Sequence, residues 1–166
     1  MKRLALYSFY NKSGLAGSFV YYYLKRLSEI SDVAVIVNGS LKPESKSQLE
    51  SQGYRVFCRE NRGFDFGAWK EFLLSNDQAV YSHYDELILC NCSCYGPVYP
   101  FQRIFDEMDR RECDFWGLYR HTGLKDRKHS IPPHLQSYFL VIRNRLFHDQ
   151  CFREYFSSLS YAETWD

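Results

Sequence analysis

The sequence predicts an α/β protein with three layers, in which helices flank a mostly parallel sheet on both faces. Two observations predict this fold. Segments with strand character alternate with segments of helical periodicity from the first residues onward. Several strand segments are continuous apolar runs, as in strands covered on both faces. With 166 residues, the chain can build one domain with its own core but not two ordinary ones, so we predict a single domain over residues 1–166.

The first half of the chain alternates strands with helices. Strands are predicted over residues 4–9, 33–37 and 54–58. Ser18 can cap a helix that runs to residue 30, because apolar residues recur there at helical spacing, at Val20, Tyr23, Leu24 and Leu27. A second helix is predicted over 43–52, because Pro43 suits its first turn and Gly53 stops it.

The second half continues the same alternation. Asp65 is predicted to cap a helix that ends near residue 74, with Phe66, Trp69, Phe72 and Leu73 on one face. Strands are expected over 86–91, 114–119 and 137–142, and helices over 100–111 and 146–159. Residues 125–133 form a basic loop that contains prolines.

Composition excludes several classes of protein. A net charge of +1 gives no global attraction to nucleic acid. The first residues carry two charges and no long apolar run, which indicates a strand rather than a signal peptide. The sequence contains no run of 18 apolar residues, so no transmembrane segment is predicted. The six cysteines are therefore interpreted as reduced cytosolic thiols. Aromatic residues make up 18%, which fits either an aromatic core or a cleft for sugar or base rings.

In parallel α/β sheets, ligands bind beyond the carboxyl ends of the strands. The loops to consider are therefore 10–17, 38–40, 60–67, 91–97 and 120–136. In loop 60–67, Gly63 permits a positive φ and Gly67 a close backbone approach. Arg62 could hold a phosphate, and Asp65 could cap the helix or accept a hydrogen bond from a sugar hydroxyl. The alternative is a capped turn with an exposed arginine.

Loop 91–97 follows the most apolar strand. Asn91 and Ser93 can donate and accept hydrogen bonds there, and the sequence Gly96-Pro97 turns the chain away. Cysteines 90, 92 and 94 alternate along the chain, whereas zinc sites usually place at least two residues between paired cysteines, so we interpret them as small buried thiols.

The loop before the last predicted strand is basic and would attract a diphosphate if it faced a cleft, or would simply be solvated. Its basic residues are Arg120, His121, Lys125, Arg127, Lys128 and His129. His134 follows this loop, and a single histidine is more often structural than catalytic. The sequence has neither a Walker phosphate loop nor a nucleophile elbow, so it supports neither a phosphate-loop nucleotidase nor a serine hydrolase.

Four segments in this order, "ENRGFDFGAWKEF", "DELILCNCSCYGPVYPF", "DFWGLYR" and "HLQSYFLVIRNRLF", resemble the rhamnan synthesis protein F family. The resemblance runs from about residue 4 to residue 156. It implies a GT-A-like nucleotide-sugar domain of bacterial polysaccharide synthesis. Such a domain would transfer rhamnose from a dTDP-linked donor to a glycan acceptor, with inversion at the anomeric carbon. It implies a cytoplasmic protein that can associate with the inner face of the membrane.

The resemblance also assigns residues to the site. Asn61, Arg62, Gly63 and Asp65 would form the nucleotide side of the cleft. Asn91 and Ser93 would lie where related transferases carry a metal-binding acid. Residues His134, Gln136 and Ser137 would line the boundary between donor and acceptor.

Two departures from the family pattern follow. Cys92 occupies the position where family members typically carry an acid, and a thiol is a poor ligand for Mg²⁺ or Mn²⁺. Inversion also requires a carboxylate base. The acids after residue 142 are Asp149, Glu154, Glu163 and Asp166, and none lies in a recognisable motif. The hypotheses are therefore an inverting glycosyltransferase, a non-catalytic module that binds a nucleotide sugar or a glycan, and, less favoured, a nucleotide-binding regulator.

Overall fold

The computed structural model describes residues 1–75, 78–125 and 130–163. Six helices lie within these residues: α1 (Ser18–Leu27), α2 (Pro43–Ser51), α3 (Phe64–Ser75), α4 (Gln102–Met108), α5 (Asn144–Phe147) and α6 (Gln150–Ser158). A short 3-10 helix spans Gln78–Val80. The strands are β1 (Arg3–Phe9), β2 (Asp32–Asn38), β3 (Arg55–Arg59), β4 (Glu86–Asn91), β5 (Phe115–Gly117), β6 (Arg120–His121), β7 (Leu124–Lys125), β8 (Ser130–Ile131), β9 (His134–Leu135) and β10 (Phe139–Arg143).

Six of these strands form one sheet in the order β3-β2-β1-β4-β10-β5. The pairs β3–β2, β2–β1 and β1–β4 are parallel, and β10 runs antiparallel to both of its neighbours. The predicted mixed α/β protein with a mostly parallel sheet is confirmed. The continuous apolar runs account for it, since β1 and β4 are buried along their whole length.

Two apolar clusters cover the two faces of the sheet. On one face, Tyr23 and Leu24 of α1 and Phe105 of α4 pack with Tyr7 and Ile88. On the other, the central residues are Trp69 of α3 and Phe152 and Phe156 of α6, which pack with Leu6 and Leu89. Helices therefore lie on both sides of the strands, as the alternation of segments predicted.

Several predicted boundaries are wrong by a few residues, for local reasons. Helix α1 ends at Leu27 instead of residue 30, because Ser28 turns its hydroxyl back to the carbonyl of Lys25. The helix predicted over 146–159 is two helices, since Asp149 accepts a hydrogen bond from the Cys151 amide and starts α6 anew. Strand β5 is three residues long, and Ser137 lies in a turn before β10.

Phe66 shares a helix face with Trp69, as predicted, and their ring centres lie 5.1 Å apart. Phe66 is partly exposed and lines an apolar groove of about 550 Å³ between α6 and the sheet. Within residues 125–133, predicted as a loop, Lys125 ends β7 and Ser130–Ile131 forms β8, and these two strands pair. Residues 126–129 lie outside the described ones.

The amino ends of β1 and β4 are joined by charges. Arg3 lies opposite Glu86 in the register, and its Nε donates to the Glu86 carboxylate at 2.6 Å. Arg143 approaches the other oxygen of the same carboxylate at 3.4 Å, and Arg3 also pairs with Asp109. Glu86 is fully buried and Arg3 nearly so, which makes this network part of the core.

Among the described residues, no helix is both long and apolar enough to cross a membrane. All six cysteines are free thiols.

Candidate functional site

Three neighbouring strands end in buried polar side chains. Ser8 of β1 lies opposite Asn91 of β4, and Asn38 closes β2. The Asn38 amide nitrogen donates to the Ser8 hydroxyl at 3.1 Å and to the Phe64 carbonyl at 3.3 Å. Strands β2 and β3 follow on one side of β1, whereas β4 lies on its other side, so strand order reverses between β1 and β4, beside these residues. Open α/β sheets bind ligands at such a point.

Asp65 joins this group from the first turn of α3. The Asn91 amide nitrogen donates to the Asp65 carboxylate at 2.7 Å. Burial raises the pKa of Asp65, and hydrogen bonds from Ser8 and Asn91 oppose that rise. The prediction that Asp65 is the helix cap is wrong, since α3 begins at Phe64 and the carboxylate bonds across to β4. Asp65 therefore fixes the strand end rather than the helix end.

Asn91 in turn fixes the start of the next loop. Its side-chain oxygen accepts a hydrogen bond from the Ser93 amide at 3.0 Å. Asn91 is 1% exposed, so it cannot itself contact a large ligand. Ser93 is exposed. Of this predicted pair, Asn91 supports the loop and Ser93 is accessible.

Arg59, the last residue of β3, ties the strand ends to loop 60–63. One of its nitrogens donates to the Asn38 side-chain oxygen, and another donates to the Arg62 carbonyl at 2.8 Å. The guanidinium also pairs with Glu71 of α3, which lowers the pKa of that carboxyl. Sequence reasoning missed Arg59, Asn38 and Ser8, although a polar residue at or next to the end of β1 and of β2 was a usable signal for Ser8 and Asn38.

Two glycines let loop 60–63 pack closely. Gly63 has a φ of +67°, and a Cβ there would lie 2.5 Å from a ring carbon of Tyr161. A Cβ on Gly67 would lie 2.1 Å from the Arg62 carbonyl oxygen. Both positions therefore exclude a side chain, as predicted for Gly63 and Gly67 from their roles in a turn and a close approach.

Arg62 lines a cavity of about 480 Å³ at this edge of the sheet. The lining residues are Asn61, Arg62, Gly63, Phe64, Tyr161, Ala162 and Glu163. The Arg62 guanidinium lies 4.9 Å from the centre of the Tyr161 ring, and the Tyr161 hydroxyl donates to Glu71 at 3.1 Å. Within residues 1–75, 78–125 and 130–163, no hydrogen bond or ion pair occupies the Arg62 guanidinium, so it can receive an anion. Nothing in the local sequence around Tyr161 indicated this contact.

Cys92 follows Asn91 and is half-buried. Its amide donates to the Ser8 carbonyl at 3.1 Å, and burial raises the pKa of its thiol above the usual 9.0. At neutral pH the thiol is therefore protonated. Asp65 is the nearby carboxylate, and it is already hydrogen-bonded. This set does not fit a hard cation such as Mg²⁺, and the described part of the chain holds no cluster of three or more metal-ligating side chains.

The other predicted residues lie on a separate ribbon. His134 is exposed on β9, which pairs with β6, and its ring stacks on that of His121 with the centres 5.1 Å apart. The backbone N–H of Gln136 donates to the Tyr119 carbonyl at 2.9 Å, and Ser137 follows in the turn. The cavity that Arg62 lines contains none of these three residues. Of the basic loop, Arg127, Lys128 and His129 lie outside the described residues.

The candidate acids after residue 142 differ in their contacts. Asp149 caps α6, and Glu154 accepts a hydrogen bond from Gln150. Glu163 lines the cavity beside Arg62. Asp166 lies outside the described residues. Of these acids, Glu163 is the one that the structure brings to the candidate site.

A family model described as rhamnan synthesis protein F matches residues 33–165 of the chain. The match begins at the second strand of the sheet and includes both loop 60–67 and loop 91–97. No curated protein matches the chain.

Proposed function

The chain belongs to the rhamnan synthesis protein F family, and on that premise we propose that it is a GT-A-like glycosyltransferase domain. It would transfer a sugar, rhamnose by resemblance, from a nucleotide-diphosphate donor to a cell-surface polysaccharide. The observation that carries this proposal is the cavity at the carboxyl edge of the sheet, bordered by the Arg62 guanidinium, which makes no hydrogen bond or ion pair among the described residues.

Arg62 is the residue we assign to the donor diphosphate. The guanidinium presents N–H donors in one plane, in a geometry that matches phosphate oxygens. Arg62 is exposed, so these donors are accessible to a ligand. Arg59 holds the Arg62 carbonyl, so the backbone is fixed while the side chain is free to bind. Asn61 and Gly63 line the same cavity and would contact the nucleotide.

The Asp65–Asn91–Ser93 chain would position the sugar end of the donor. Asp65 holds Asn91, and Asn91 holds the Ser93 amide, which leaves the Ser93 hydroxyl accessible. In a direct displacement, the acceptor oxygen bonds to the anomeric carbon as the bond to the diphosphate breaks, and the acceptor hydroxyl gives its proton to a carboxylate base. Arg62 would stabilise the negative charge that the departing diphosphate gains. We propose that this step inverts the anomeric carbon.

A second candidate function is a non-catalytic module that binds a nucleotide sugar or a glycan. Cys92 favours it, because a protonated thiol replaces the hard oxygen ligand that the family resemblance implies at this position. Under this hypothesis the donor binds but is neither transferred nor hydrolysed.

One experiment separates the two candidates. The protein is mixed with dTDP-rhamnose and with other nucleotide sugars, each with and without Mn²⁺, and both thermal stabilisation and release of nucleoside diphosphate are followed. Transfer predicts stabilisation with release, whereas the binding module predicts stabilisation without release. If no nucleotide sugar stabilises the protein, the transferase and a module that binds a nucleotide sugar are both wrong, and a module that binds a glycan is the candidate left. A Cys92→Asp variant that gains dependence on Mn²⁺ would show that position 92 retains the geometry of a metal site.

A further inference from the structure

The loop after β4 presents apolar surface to solvent. Tyr95 is 80% exposed, and within four residues of it Val98 and Tyr99 are 85% and 67% exposed. Single exposed apolar residues are common on protein surfaces, but a cluster of them at a ligand-binding edge indicates a contact surface. We refer to residues 95–99 as the aromatic loop.

Contacts to helix α1 hold the aromatic loop in place. The Tyr95 ring lies 4.8 Å from the Phe19 ring, at 45° to it. One turn further along the helix, the Tyr22 hydroxyl donates to the Pro97 carbonyl at 3.0 Å. The Tyr95 ring is thus supported from one side by Phe19 while most of its surface stays open. A ring fixed in this way loses little conformational entropy when a ligand stacks on it.

The chemistry of such a ring selects a class of ligand. A pyranose has one face of C–H groups with hydroxyls around its edge, and a tyrosine pairs an apolar face with a polar tip. A 6-deoxyhexose such as rhamnose adds a methyl group and so more apolar surface. Tyr95 lies two residues beyond Ser93, which places it beside the proposed sugar end of the donor.

We propose that Tyr95 is a stacking platform for the deoxyhexose glycan acceptor, and that the aromatic loop forms its binding surface. This inference rests on the proposed function, since it supplies the acceptor side of the same reaction. The platform would hold one sugar ring of the glycan so that its terminal hydroxyl reaches the donor near Ser93.

The test uses a short rhamnose oligosaccharide as the probe, titrated into the whole chain by calorimetry. Tyr95→Ala is expected to weaken binding of the oligosaccharide by about tenfold or more, and Tyr95→Phe by less than about threefold, because the ring and not the hydroxyl makes the contact. Tyr155→Ala is the matched control, since Tyr155 is 52% exposed but lies on α6, and it is expected to bind as the original chain does.

Three results would overturn the proposal: no binding of the oligosaccharide by the unmodified chain, equal binding by Tyr95→Ala, or equal loss in Tyr155→Ala. A parallel titration with dTDP alone separates this inference from the proposed function. If Tyr95→Ala weakens dTDP binding instead, the ring stacks on the nucleobase and the proposal is wrong. If the oligosaccharide binds through Tyr95 but nucleotide sugars do not bind at all, the inference stands and the proposed transfer reaction fails.

Discussion

Strands β1 and β4 carry polar pairs at both ends, and the two ends are built differently. At the amino end, Arg3 lies opposite Glu86, and Arg143 and Asp109 each pair with one of these two buried charges. At the carboxyl end, Ser8 lies opposite Asn91, in a network of hydroxyl and amide groups around one carboxyl of raised pKa. Under the proposed function this difference separates support from binding, because the charge network at the amino end is closed on itself, whereas the Arg62 guanidinium at the open carboxyl end makes no hydrogen bond or ion pair among the described residues.

The largest expected effect comes from breaking the closed end. Glu86→Ala leaves Arg3 buried without its main partner, so the free energy of unfolding should fall by about 3–5 kcal/mol, as for a broken buried ion pair. Urea denaturation measures this. Glu29→Ala is the control, because Glu29 pairs with Arg26 at the surface and should cost less than about 1 kcal/mol. Equal losses in the two variants would show that the buried Arg3–Glu86 pair contributes no more to the free energy of unfolding than a surface ion pair does.

The open end should respond in binding rather than in stability. Arg62→Ala should weaken binding of nucleotide sugars by about 1.5–3 kcal/mol, as for a hydrogen bond to a charged group, with little change in melting temperature. Titration calorimetry with dTDP-rhamnose measures the affinity. Arg110→Ala removes an exposed arginine beyond α4 and should leave the affinity unchanged. Unchanged affinity in Arg62→Ala would instead make the loop a capped turn with a solvated arginine.

Gly67→Ala should affect both properties. The added methyl would overlap the Arg62 carbonyl, so loop 60–63 has to move, at a cost of about 1–3 kcal/mol in unfolding free energy. The shift should also weaken nucleotide-sugar binding. In Gly17→Ala the methyl meets only the Phe19 ring, which can adjust, so that variant should lose less stability. A fully stable Gly67→Ala protein would show that loop 60–63 is not held against α3.

The smallest expected effect is a difference in pH dependence. Burial raises the pKa of Asp65 in the folded state. As pH rises, the folded protein therefore keeps a proton on Asp65 that the unfolded chain has already lost. The stability of the original chain relative to Asp65→Asn should therefore fall as pH rises from the usual carboxyl range, near 3.8, toward neutral. Glu71, whose pKa is lowered, should show the opposite sign against Glu71→Gln. Denaturation midpoints from about pH 4 to 7 measure the slope for Asp65, and midpoints below the usual Glu value of 4.5 measure the slope for Glu71. Equal signs would contradict the assigned environments.

Sequence patterns predicted the layers of this fold better than the residues at which its helices and strands begin and end. The strands of the parallel core follow from apolar runs such as Leu4–Leu6 and Leu87–Leu89, because burial on both faces leaves an unambiguous pattern. Errors fall where short side chains decide the ends of elements, as at Ser28 and Asp149, which hydrogen-bond the backbone in ways that periodicity does not register.

The candidate site was predictable only in part. Arg62, Gly63 and Gly67 stand out because their residue types have few uses in a turn between a strand and a helix. Arg59 has no such signal, since an arginine ending a strand is usually exposed, and only the fold brings Asn38 and Glu71 to it. Tyr161 lies about a hundred residues from Gly63 along the chain, so its contact depends on tertiary packing.

The closed charge network at the amino end has a consequence for which substitutions this chain can tolerate. Stability that resides there is independent of the loops at the opposite end, so substitutions in those loops need not unfold the protein. A thiol at position 92 is one such substitution under the family resemblance. Under the proposed function, substitutions at exposed loop residues of this chain would therefore change ligand preference while Arg3, Glu86 and Arg143 keep the framework paired.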